Sequence, residues 1–79
     1  MIANEVQARI AGAIANSDVT ALGDSSRMEV TVVGSAFEGV SRVRRQQLVY
    51  AAIADLIRDG ALHAVTIRTY TPAERAEAR

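Results

Sequence analysis

Apolar residues recur every fourth position at the start of the chain. Ile2, Val6, Ile10 and Ile14 form one stripe along a predicted helix. Gly12 weakens that helix slightly, and the turn cluster Asn16-Ser17-Asp18 ends it. The period then changes. Val19 to Leu22 carries a weak strand signal, and Gly23-Asp24-Ser25-Ser26 reads as a loop. From Met28 to Val33 the alternation is clearer, with Met28, Val30 and Val32 on one side and Glu29, Thr31 and Val33 on the other. Two strands with a short polar connection predict a hairpin.

Gly34-Ser35-Ala36-Phe37-Glu38-Gly39 breaks the pattern and bends the chain. Ser41 then suits a helix N-cap, and the helix runs to about Arg58. Val49, Ala52, Ile53, Leu56 and Ile57 give it a wide core-facing stripe. Asp59-Gly60 ends it, with Gly60 suited to the left-handed position after the last turn. His63 to Thr69 predicts a third strand. Thr71-Pro72-Ala73-Glu74 is a helix start, with a capping Thr, Pro at the first position and Glu to close a capping box. The last helix is short and polar.

The predicted order is helix, strand, strand, helix, strand, helix. The long helix acts as a crossover, so strands two and three should be parallel and strands one and two antiparallel. The expectation is an α+β fold with a three-stranded mixed sheet and helices mainly on one face. Residues 1–79 form a single domain, since no repeat or linker interrupts them.

Composition narrows the function. A chain of 79 residues buries only roughly 60–65% of its surface on folding, too little for a deep catalytic cavity. Nine Arg, no Lys and nine acidic residues leave a formal net charge of zero, so any polyanion must meet a local patch. With no Cys, a disulfide framework, a thiol nucleophile and a four-thiolate iron–sulfur site are excluded within the chain. No apolar run reaches membrane-spanning length. Met1-Ile2-Ala3-Asn4-Glu5 lacks the basic and apolar regions of a signal peptide, so the expected compartment is the cytoplasm.

Few residues offer chemistry. His63 carries the only imidazole, a suitable iron ligand at the start of a strand. Its parity with Val65 and Ile67 suits a half-buried structural histidine, the reading that spacing alone favours over a ligand. Arg42, Arg44 and Arg45 fall in the first turn of the long helix, where free backbone N–H groups and guanidinium groups can together hold an anion. A solvated basic face is the plainer alternative. Phe37, Tyr50 and Tyr70 are too few for a base-stacking platform. Gly34 and Gly39 do not match a phosphate-binding fingerprint, and Ser25 and Ser26 lack a neighbouring base. Nothing points to an enzyme.

Three stretches carry a family resemblance: Val30 to Gly39, Ser41 to Tyr50, and Leu62 to Glu74. Together they resemble the BolA family, and its IbaG branch most closely through Arg42-Val43-Arg44-Arg45-Gln46-Gln47 and through His63-Ala64-Val65 followed by Tyr70-Thr71-Pro72-Ala73-Glu74. The resemblance also takes in Met1-Ile2 and Gly23-Asp24. It implies a fold related to the class II KH domain. It implies a non-enzymatic partner of a monothiol glutaredoxin in iron–sulfur cluster handling or iron homeostasis. The implied cofactor is a two-iron, two-sulfur cluster shared with the glutaredoxin and glutathione, with none expected on the isolated chain. On this side the ligands would be His63 and a His or Cys from the loop before strand two. The chain departs from that pattern: Gly23 to Arg27 holds neither, Arg27 takes the place of the loop histidine, and Arg75 replaces a Trp common in the last helix. Asp24 is then the nearest acidic stand-in, though carboxylate is a harder ligand than imidazole. The alternative implied by the family is a DNA-binding regulator using Arg42, Arg44 and Arg45, against which stand the neutral charge and the missing GXXG loop. The chain alone is expected to be a monomer or weak homodimer that binds no membrane.

Overall fold

A computed structural model describes residues 2–78. Its elements are α1 (Ile2–Ala13), β1 (Ser17–Gly23), β2 (Met28–Gly34), a 3-10 turn (Ser35–Phe37), α2 (Arg42–Arg58), β3 (Val65–Tyr70) and α3 (Pro72–Glu77). The order is the one periodicity predicts, with the 3-10 turn filling the Gly34–Gly39 break. The sheet runs β1-β2-β3, antiparallel between β1 and β2 and parallel between β2 and β3. Thus the α+β class and the mixed sheet are as expected.

Alternation sorts the sheet into two faces. Val19 and Ala21 of β1, Met28, Val30 and Val32 of β2, and Thr69 of β3 are buried. Val65 and Ile67 join them partly buried. Val6 and Ile10 from α1, with Val49, Ile53 and Leu56 from α2, complete the same core. Arg9 ties the two helices together, donating to Asp55 Oδ1 at 2.6 Å and holding the Asp55 carboxyl below its ordinary range. The other face carries Thr20, Leu22, Glu29, Thr31 and Arg68, with an Arg68–Glu29 ion pair at 2.9 Å. Phe37 inserts from the 3-10 turn and is fully buried.

Two strand boundaries differ from the sequence-based expectation, both for long-range reasons. β1 begins at Ser17 and not Val19, because all seven of its residues find partners on β2, from Ser17↔Gly34 to Gly23↔Met28. The turn is made instead by Asn16, with φ of 55°, and Ser17 Oγ donates to the Ile14 carbonyl at 2.7 Å. β3 begins at Val65 and not His63. Leu62 donates its N–H to the Leu56 carbonyl and is itself fully buried, while the His63 N–H donates to Ser25 in the hairpin loop at 2.7 Å.

The predicted caps are present. Ser41 Oγ accepts from the Arg44 N–H at 3.2 Å. Thr71 and Glu74 form the reciprocal capping box, at 3.1 and 2.9 Å. α3 lies at the Tyr70 end of the sheet, where Pro72 and Arg75 approach Thr31 and Val33 and wall a trough of about 720 Å³. Arg75 sits 5.2 Å from the Tyr70 ring centroid. Among the described residues, no helix is long and apolar enough to cross a membrane.

Candidate partner-docking site

His63 is exposed, so its parity with Val65 and Ile67 misleads. Residues 62–64 precede the ladder, and the buried position there belongs to Leu62. The 2.7 Å bond from the His63 N–H to the Ser25 carbonyl joins the imidazole-bearing segment to the loop between β1 and β2. The adjacent Met28 N–H donates to the Ala64 carbonyl at 2.9 Å. A single surface at this end of the sheet therefore holds His63 and the exposed residues Asp24 to Arg27.

The loop is held by its own residues. Asp24 N–H donates to the Arg27 carbonyl at 3.0 Å, while Asp24 Oδ1 accepts from the Ser26 and Arg27 N–H groups at 2.9 and 3.2 Å. An aspartate that folds its own turn in this way is the usual reason for Asp at such a position. Gly23, with φ of 121°, lets the Arg27 carbonyl come close. A Cβ there would lie 2.2 Å from that oxygen.

The arginine cluster falls elsewhere. β2 leaves the sheet at Gly34 and leads through the 3-10 turn into α2, whereas α2 leads back to the start of β3. The first turn of α2 thus lies beside Tyr70, and Arg42 shares two clefts with that residue. A strand of six or seven residues separates it from His63, about 20 Å. His63 and the cluster of Arg42, Arg44 and Arg45 therefore do not share one surface. Consecutive elements of a β-α-β unit place the start of the helix and the start of the second strand at opposite ends of the sheet.

The three arginines also differ among themselves. Arg42 and Arg44 are exposed. Arg45 is buried, 5% exposed. It donates to the Val40 carbonyl at 2.9 Å and to both Glu74 oxygens at 2.7 and 3.3 Å, and lies 5.7 Å from the Phe37 ring centroid. Arg45 thus locks α3 to α2 and is not presented to a ligand. Its guanidinium, helped by the Thr71 N–H, holds Glu74 down at about 2. A sequence signal for this existed: Arg45 lies four residues before Val49, on the core stripe.

The donor set can be tested against a shared iron–sulfur cluster. His63 offers one exposed imidazole. The loop beside it offers no His or Cys, and Asp24 has one oxygen already engaged by two N–H groups. Among the described residues there is no group of three His, Cys, Asp or Glu side chains placed to hold a metal ion. The residues present supply one suitable ligand where two are needed, so the fit is incomplete.

The chain is similar to known proteins in both sequence and fold. A family model described as BolA-like protein matches residues 5–74. The chain is 43% identical over 76 residues to the acid stress protein IbaG of Escherichia coli, covering 96% of this chain and 90% of that protein. Among solved structures, a BolA homologue from Coxiella burnetii superposes with a TM-score of 0.78 at 31% identity, covering 92% of this chain and 94% of that one. BolA1 from Arabidopsis thaliana gives 0.80 at 25% identity, covering 91% and 93%. Sequence, element order and three-dimensional fold agree, and the chain belongs to the BolA-like family.

Proposed function

We propose that this chain is a non-enzymatic adaptor that docks a monothiol glutaredoxin at the end of the sheet holding His63 and residues 24–27. The observation that carries this reading is the 2.7 Å bond between His63 N–H and the Ser25 carbonyl, which keeps the exposed imidazole and the hairpin loop on one surface. A neutral imidazole there suits iron. With no thiol and no second imidazole nearby, a cluster shared across this surface would be labile, and the complex would not depend on it. Cytoplasmic location, where thiols stay reduced and glutaredoxins act, fits this role. The rival reading, a nucleic-acid-binding regulator, keeps only Arg42 and Arg44 from its three arginines, because Arg45 is taken by Glu74.

The test is to mix the purified chain with a monothiol glutaredoxin and glutathione, with and without anaerobic cluster reconstitution. Complex formation is followed by size exclusion and the cluster by visible circular dichroism. The expected result is a complex in both cases, with a cluster signal that decays quickly and vanishes in His63→Ala. A stable cluster whose spectrum is indifferent to His63→Ala refutes the ligand role. Failure to form any complex refutes the adaptor reading.

A further inference from the structure

Among the described residues the edge of β3 has no strand beyond it, and the helix beside it fills one of its bonding positions with a side chain. Gln46 Nε2, from α2, donates to the Ile67 carbonyl at 2.8 Å. That carbonyl therefore faces outward from the sheet, and the Gln46 amide stands where the backbone N–H of an added strand would stand. Between the strand edge and α2 runs a groove of about 330 Å³, lined by Arg42, Gln46, Ile67, Arg68, Thr69 and Tyr70. An edge strand with an adjoining helix wall is the setting in which extended peptides add to a sheet, with main-chain bonds for affinity and flanking groups for selection.

Charge selects the occupant. Arg9, Arg45, Arg58 and Arg68 each have a carboxylate within 4 Å, whereas no such pair is found for Arg42 among the described residues. Arg42 borders both the groove and the cleft beside it. Glu74 is turned to Arg45 but, with Glu77, lines the cleft that Arg42 borders, so these two acids oppose an incoming carboxylate, Glu77 without a cation of its own among the described residues. The other sheet edge differs. There Gln7 Oε1 accepts from the Ala21 N–H, and β1 carries Asp18 and no arginine. We infer that the β3 edge is a docking strip for an extended acidic segment of another protein, which displaces the Gln46 amide, pairs with β3 around Ile67, and places a carboxylate on Arg42. The six residues of β3 give room for a segment of about six residues, roughly 20 Å long. The groove lies at the Tyr70 half of the strand, while the Val65 end of the strip comes within two residues of His63; the peptide test uses no glutaredoxin and so reads the strip separately from the docking proposed above.

The test uses the full chain labelled with nitrogen-15 and a terminally blocked hexapeptide of alternating Val and Glu. A Val and Lys peptide of equal length is the control. The acidic peptide is expected to shift the amides of Val65 to Tyr70 and of Arg42 to Gln46, and the basic one to leave them in place. Arg42→Glu should weaken binding about tenfold, the size of one lost charge contact. Gln46→Ala should strengthen it about threefold, since the peptide no longer competes with a hydrogen bond of modest net strength. Glu77→Gln should strengthen it as well. All three positions are exposed, and circular dichroism checks that each variant is folded. Unmoved β3 amides at millimolar peptide overturn the inference, as does equal binding of the basic peptide. Tighter binding of a single-stranded oligonucleotide at the same amides overturns it too and reassigns the strip.

Discussion

Replacing Gly23 by Ala should damage the hairpin loop more than any other single methyl added at a glycine of this chain. Two costs combine there. With φ at 121°, an L-residue is strained by about 1–3 kcal/mol. The new Cβ would also lie 2.2 Å from the Arg27 carbonyl oxygen and 3.2 Å from Met28 Cα. Both neighbours are backbone atoms and cannot rotate aside, so the loop must retreat by roughly 1 Å to restore van der Waals separation. That retreat breaks or weakens the Asp24 N–H bond to Arg27, worth about 0.5–1.5 kcal/mol. The sum is about 2–4 kcal/mol, a large share of the roughly 4–12 kcal/mol expected for a domain of this size. At about 4–8 °C per kcal/mol, melting followed by circular dichroism should fall by roughly 8–32 °C. Gly60→Ala is the control. Gly60 also has positive φ, 80°, but a Cβ there meets nothing within 4 Å, so it should lose only about 1–2 kcal/mol. A Gly23→Ala loss no larger than that of Gly60→Ala would refute the claim that close approach by Arg27 dictates glycine. Because His63 is bonded to Ser25 in the same loop, the variant should also move the His63 ring resonances.

Other outcomes follow from the same structure. Glu74 is lowered from 4.5 to about 2 by Arg45, so its contribution is present above the unfolded value and lost as pH falls from about 4.5 toward 2; urea melts of wild type and Glu74→Gln should differ at pH 7 and converge near pH 2. Arg45→Ala should lower the melting temperature clearly and Arg44→Ala hardly at all, although both lie in the same helix turn, and thermal melts of the pair test this. Phe37→Ala removes a fully buried ring and should cost about 3–5 kcal/mol by chemical denaturation. Gly12→Ala, in α1 with nothing within 4 Å of a new Cβ, should stabilise by about 0.8–1 kcal/mol in the same assay.

The kinds of element and their caps are local properties, and they were legible from the sequence. A four-residue spacing of Ile and Val wraps one face of a helix, alternation in Met28 to Val33 splits a strand into two faces, and Ser41 and Thr71 cap because their side chains reach N–H groups three residues on. The hairpin followed by a long helix also determined which strands run parallel. What the tertiary structure alone decided concerns groups far apart in the chain. β1 took in Ser17 because Gly34 waited opposite it, a partner invisible to a weak local pattern. His63 turned outward because its N–H found Ser25 and the core took Leu62, so strand parity could not be carried past the end of the ladder. Arg45 left the basic cluster because Glu74, 29 residues away, neutralised it within the core. The separation of His63 from Arg42 and Arg44 follows from the path of α2 back across the sheet. Sequence spacing records which residues share a face of one element, but the end of the sheet on which each stands is settled only when the elements pack.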